Sequence, residues 1–187
     1  MIDNYLYFFE NVAHEDCYCT CFCSDDQDKP DFSARNDGTT KAERVQMRRN
    51  DAIRYIKDGK IQGYLAYMDG QVVGWCNAND RAKCTKCGGW KFGLSAVNTV
   101  EPDPNAKIKS VFCFVIAPEL RRTGIALRLL ERVCLDALKD GYACVEAYPN
   151  KQFQNIFFDH MGPLEMYEKM GFVAYGEAGE KIVMRKI

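Results

Sequence analysis

One segment constrains this chain more than any other. The apolar run VFCFVI at 111–116 leads through APELRRTGIA into an amphipathic stretch, LRLLERVCLDALK. The apolar run is too short for a helix and fits a strand buried on both faces. In the stretch that follows, Leu127, Leu130, Cys134, Ala137 and Leu138 recur at helical spacing. They predict a helix with those residues as its buried stripe and Gly141 as its C-terminal stop. A second apolar strand is expected at 142–148, ending at Pro149.

The flanking sequence extends this unit. Upstream, Val45, Ala52, Ile53 and Ile56 predict a helix over 41–57, stopped by Gly59. GYLAYM and QVVGWC are β-rich runs separated by Asp69-Gly70, a strong hairpin signal. Residues 24–40 are polar with Pro and Gly and read as a loop, and 98–109 as a Pro-containing connection. Downstream, 150–162 is an irregular insert rich in aromatics. Pro163 opens a short helix through Met170, closed by Gly171, and strands near 172–175 and 181–185 surround GEAGE. The order predicts a single α/β domain over residues 1–187, a mixed central sheet flanked by helices.

Composition narrows the function classes. Lys and Arg number 25 against 26 Asp and Glu, a net charge of −1. That balance argues against a nucleic-acid surface, which needs clustered cations. No window approaches the apolar length that spans a bilayer. The start, MIDNYLYFFE, lacks the basic region and small-residue cleavage site of a secretory signal, so a cytoplasmic location is expected.

The loop 121–126, Arg-Arg-Thr-Gly-Ile-Ala, joins the buried strand to the helix. At a helix start several backbone N–H groups have no partner and the dipole favours an anion. Gly124 and Ala126 leave the approach open, and Arg121 and Arg122 add positive charge at the rim. The bland reading is an ordinary turn with Thr123 as the cap.

With its strand and helix, this loop resembles the acetyl-CoA motif of the GNAT superfamily of N-acetyltransferases, Gln/Arg-x-x-Gly-x-Gly/Ala, with Arg121, Gly124 and Ala126 at the signature positions. MYEKMGF at 166–172 is similar to the family's Leu-Tyr-x-x-x-Gly-Phe, in the right order. The resemblance implies acetyl-CoA as cosubstrate and direct transfer of acetyl to a primary amine. It also implies backbone groups of Phe114, Val115 and Ile116 for the pantetheine arm, and the loop Arg121, Arg122, Thr123, Gly124, Ile125 and Ala126 for the pyrophosphate. Tyr167 would protonate the leaving thiolate, or else be a core aromatic. Asn150 either bonds the pantetheine amides or caps a turn after Pro149. No acid lies on 111–116, so Glu146 on the next strand is the candidate base, unless it is structural. A non-catalytic acyl-CoA-binding module on the same fold is the alternative.

The resemblance implies a small-molecule or peptide amine as acceptor without identifying it, and the segments 24–40 and 150–162 are expected to shape its site. His160 reads as a loop residue, and a homodimer stays open. The ten cysteines imply no disulfide framework in a cytosolic chain. Cys113, Cys134 and Cys144 read as core. CYCTCFC, taken as extended, would space its sulfurs ~6.5–7 Å apart, too far for one tetrahedral zinc. Cys84 and Cys87 resemble half a zinc knuckle, but no metal is expected.

Overall fold

Residues 2–23 and 38–187 are described by the computed structural model of the chain. Its mixed sheet has six strands, in the spatial order 63–68, 71–80, 108–116, 144–147, 181–186 and 173–178, and is flanked by helices, as the sequence predicts. Of the predicted loop 24–40, residues 24–37 lie outside the described residues.

Helix α1 (Ile2–Tyr7) runs into a π-helical turn, Phe8–Ala13. Helix α2 (Lys41–Lys57) starts at Thr40 with a capping box: the Thr40 side chain accepts from the Glu43 N–H, and the Glu43 carboxylate accepts from the Thr40 N–H. Strands β1 (Gly63–Met68) and β2 (Gln71–Asp80) form the predicted hairpin, with Asp69 and Gly70 both at positive φ. Two short helices follow, α3 (Arg81–Cys84) and α4 (Gly88–Gly93), then β3 (Ile108–Ile116), α5 (Ile125–Lys139) and β4 (Cys144–Ala147). Helix α6 (Leu164–Lys169) and the hairpin β5 (Val173–Ala178) and β6 (Lys181–Lys186) complete the chain.

Alternation along β2 divides the core. Cys76 and Ala78 pack with Val111, Val145 and Ala147 under α5, whereas Trp75 joins Tyr5, Phe8 and Phe9 from the N-terminal helices on the opposite face. The buried residues of α5 are Leu129, Leu130, Val133 and Ala137. The predicted stripe is therefore rotated: Leu127 is 37% and Leu138 76% exposed. Both stripes satisfy helical spacing and share Leu130 and Ala137. The helix start at Gly124 and its seat on the sheet decide between them.

The segment 17–23 is not extended. It turns at Tyr18 and Cys19, both at φ 45°, and enters a 3-10 turn over Thr20–Phe22. Side chains claim the carbonyls that a strand would offer: Tyr5 Oη donates to Tyr18, Arg48 Nε to Asp16 and Asn77 Nδ2 to Cys19. The spacing argument about zinc therefore does not apply. Among the described residues, no three His, Cys, Asp or Glu side chains form a group that could hold a metal ion.

Candidate functional site

The site is built where β3 parts from its neighbour. β3 and β4 run parallel and pair from Ile108↔Cys144 to Val111↔Ala147. One residue further, β3 carries a bulge. Asn77 and Ala78 of β2 face Cys113 and Val111, leaving Phe112 as the extra residue. Beyond it, residues 113–116 stay paired with β2 but have no β4 partner, so one backbone edge of β3 opens toward the 150–162 insert.

Register decides which backbone groups face that opening. The Phe114 N–H donates to the His160 carbonyl at 2.7 Å, whereas the Ala117 N–H donates to Val73 on β2 at 3.0 Å. By the alternation of an antiparallel ladder, Phe114 and Ile116 point their N–H and C=O groups to the open side and Val115 points its groups to β2. The expectation that Val115 offers backbone groups to a ligand is corrected on this geometry. The Ile116 carbonyl also receives the Arg121 guanidinium, Nε to O 3.3 Å.

At the end of β3 the chain passes through a 3-10 turn, Pro118–Leu120, into the loop. Arg122 stands at φ 68° and Gly124 at φ 90°, with Gly124 as the N-cap of α5 and no side chain capping the helix. The Thr123 hydroxyl turns back to the Leu120 carbonyl at 2.7 Å, so Thr123 is not the cap. Among the described residues, no acceptor engages any backbone N–H from Arg122 to Leu127. A Cβ built on Gly124 would meet nothing within 4 Å, so the space in front of the loop is open. These donors, with the N-terminal end of a 15-residue helix behind them, make a cradle that fits a diphosphate. The charge of Arg121 reaches Glu15, whose carboxyl is pushed up by burial and drawn back by that arginine.

Tyr167 lies in α6, fully buried, its ring edge-on to Phe172 at 5.2 Å. Its hydroxyl donates to the Met161 carbonyl at 2.5 Å. Burial holds its pKa well above the ordinary phenol value, and nearby Cys76, Cys113 and Cys134 add to the effect. The group is a protonated donor at neutral pH.

Glu146 does not suit the role of a base. It is fully buried, and Arg185 Nε donates to its Oε2 at 2.6 Å. Arg81 Nη1 and the Tyr148 hydroxyl reach its Oε1 at 3.2 and 2.5 Å. Both arginines also hold Glu101, Arg81 at 3.0 Å and Arg185 at 2.9 Å. Taking a proton would break a cluster in which two carboxylates balance two guanidinium groups, so the geometry assigns Glu146 to the sheet's charge balance. Asn150 is similarly engaged: its Nδ2 donates to Asp159 Oδ1 at 2.9 Å and its Oδ1 accepts from Lys181 Nζ at 2.7 Å. It sits in an isolated antiparallel bridge to Lys181 and pins the insert through these side-chain bonds, so its amide is already engaged.

Sequence reasoning missed Asp159 and the carbonyls of His160 and Met161. An acid buried at 8% exposure inside a loop gives no periodic signal, and main-chain carbonyls give none at all.

The model of the acetyltransferase (GNAT) family matches residues 22–172. No curated protein matches the chain in sequence. Among solved structures, a GNAT-family acetyltransferase structure from Desulfovibrio desulfuricans is similar at TM-score 0.50 and 17% identity, covering 80% of this chain and 84% of its own. The PaiA N-acetyltransferase of Thermoplasma acidophilum, solved in complex with coenzyme A, is similar at TM-score 0.51 and 12% identity, covering 99% and 93%. At these identities the structures share the fold. Among the described residues, no helix is long and apolar enough to cross a membrane.

Proposed function

The chain belongs to the acetyltransferase (GNAT) family, and from that premise we propose that it transfers an acetyl group from acetyl-CoA to a primary amine of a small-molecule or peptide acceptor. The observation that carries this reading is the run of N–H groups from Arg122 to Leu127, at the start of α5, that meet no acceptor among the described residues. A bound acetyl thioester supplies the activated acyl group and a thiolate leaving group. The chain's own residues do the rest. The loop N–H groups, with Arg121 and Arg122 at the rim, hold the pyrophosphate. Ile116 and the Phe114 carbonyl offer backbone groups along the open edge of β3. Tyr167 holds the proton for the leaving sulfur. An acceptor amine with a Lys-like pKa of ~10 must lose a proton before it attacks, and with Glu146 occupied, water is the candidate carrier.

The acceptor side falls to the insert, whose Phe153, Ile156, Phe157 and Phe158 are all exposed and give it an apolar outer face. A second reading, an acyl-CoA-binding module without turnover, is favoured by one observation: the single Tyr167 proton is already donated to Met161. Acetyl-CoA turnover against an amine panel, with coenzyme A measured chromatographically because the chain carries ten thiols of its own, separates the two. Acceptor-dependent release of coenzyme A supports the enzyme. Tight binding without release for any amine supports the module.

A further inference from the structure

We propose that residues 159–162 are a self-blocking strap: its carbonyls occupy the Phe114 N–H and the Tyr167 hydroxyl, and acetyl-CoA gains the full site only when the strap lets go. This inference rests on the reading that the open edge of β3 is the cofactor's path.

Each blocked group has one proton. The Phe114 N–H gives its proton to His160 O at 2.7 Å and Tyr167 gives its own to Met161 O at 2.5 Å, so neither can serve a ligand while those bonds stand. The two acceptors are adjacent in sequence, so one movement frees both groups. The strap ends at Gly162, at φ 91°. A Cβ there would stand 2.7 Å from Met166 Cε and 3.3 Å from both Phe114 Cε2 and Tyr167 Cε2, so a side chain at this φ would be strained and would crowd the two residues that the strap covers.

The strap is latched from outside the sheet. Asp159 Oδ2 accepts from the N–H groups of Gln154 and Asn155 at 2.7 and 2.9 Å, and its Oδ1 accepts from Asn150 Nδ2 at 2.9 Å. Lys181 Nζ, at the start of β6, completes the latch on Asn150 Oδ1 at 2.7 Å. The outer part of the insert presents Phe153, Ile156, Phe157 and Phe158 to solvent, whereas Met161, 2% exposed, sits in the buried cluster of Phe112 and Tyr148. Release therefore turns the His160 and Met161 carbonyls away about an anchored Met161 side chain, with the exposed outer part free to follow. A protein whose binding-competent form is a minority binds with an affinity reduced by that fraction, so loosening the latch should improve binding.

The test is calorimetric titration of the full-length protein with coenzyme A, comparing wild type, Asp159→Asn and Gly162→Ala, each checked for folding by a thermal melt. Asp159→Asn keeps the side-chain shape but weakens the latch, and should bind roughly three- to tenfold more tightly while melting earlier. Equal or weaker binding by folded variants overturns the strap and makes 159–162 a fixed wall of the site. If neither variant folds, amide exchange in wild type without ligand decides. Exchange at Phe114 much faster than at Val115, which is tied to β2, supports the strap, and equal rates overturn it. Absence of coenzyme A binding by wild type contradicts the proposed function and not the strap alone.

Discussion

The hydroxyl of Tyr167 donates to the main-chain carbonyl of Met161 at 2.5 Å, inside the core and against the open edge of β3. A phenol has one proton, so this bond and protonation of a leaving sulfur exclude one another at any instant. Tyr167 is a packing residue in this fold, and removal of its oxygen alone tests the donor role proposed for it.

Tyr167→Phe keeps the ring against Phe172 and deletes the hydroxyl. If Tyr167 supplies the proton, kcat should fall roughly ten- to ten-thousandfold while coenzyme A affinity changes less than severalfold. An unchanged kcat returns the residue to the core. Because burial holds its pKa well above the phenol value, wild-type kcat should show no alkaline loss assignable to Tyr167 below pH ~10.

The cluster around Glu146 should govern stability. Glu146→Ala leaves the buried Arg185 and the partly buried Arg81 short of a counter-charge and should cost roughly 3–5 kcal/mol in a denaturant titration. Glu101 adds a pH dependence. Burial alone would raise its pKa, but the Arg185 hydrogen bonds and the charges of Arg185 and Arg81 outweigh that and hold it below the ordinary carboxylate value. Its contribution is thus fully present above the unfolded pKa of ~4.3 and is lost as pH falls through the lower folded value. Glu101→Gln should flatten the stability curve in that acid window. An unaltered acid limb would show that other carboxylates set it.

Much of the fold was legible because it is local. Val45, Ala52, Ile53 and Ile56 write α2 into the sequence, and Gly59 writes its end, although the Thr40–Glu43 capping box that starts it went unread. Asp69-Gly70 writes its hairpin, and Gly124 writes the uncapped end of α5. What was misread depends on distant partners. Periodicity admits two stripes on α5, and only the seat on β2 and β4 selects Leu129 and Val133 over Leu127 and Leu138. Alternating cysteines at 17–23 suggest a strand, yet Tyr5 and Asn77 take the carbonyls of Tyr18 and Cys19, Arg48 takes that of Asp16 just before them, and the segment folds into turns. At the site, the loop was readable and the bond from Phe114 to His160 was not, since it joins main-chain atoms across 46 residues of sequence.

The rotated stripe has a direct check. Leu129→Ala should cost about 2–5 kcal/mol as a core truncation, whereas Leu138→Ala, at an exposed position, should stay within about 0.5 kcal/mol. Comparable losses would restore the stripe that periodicity alone suggests.

The most direct test of the central claim is a thermal melt with and without coenzyme A for wild type and Gly124→Val. Binding at the loop should stabilise wild type by about 2.7 kcal/mol at a hundredfold excess over Kd. Gly124→Val sets a branched side chain at φ 90° in front of the donors from Arg122 to Leu127, and should abolish that gain. Wild type stabilised and Gly124→Val folded but unresponsive is the predicted result. No stabilisation of wild type, or equal stabilisation of the variant, would contradict coenzyme A binding at the start of α5.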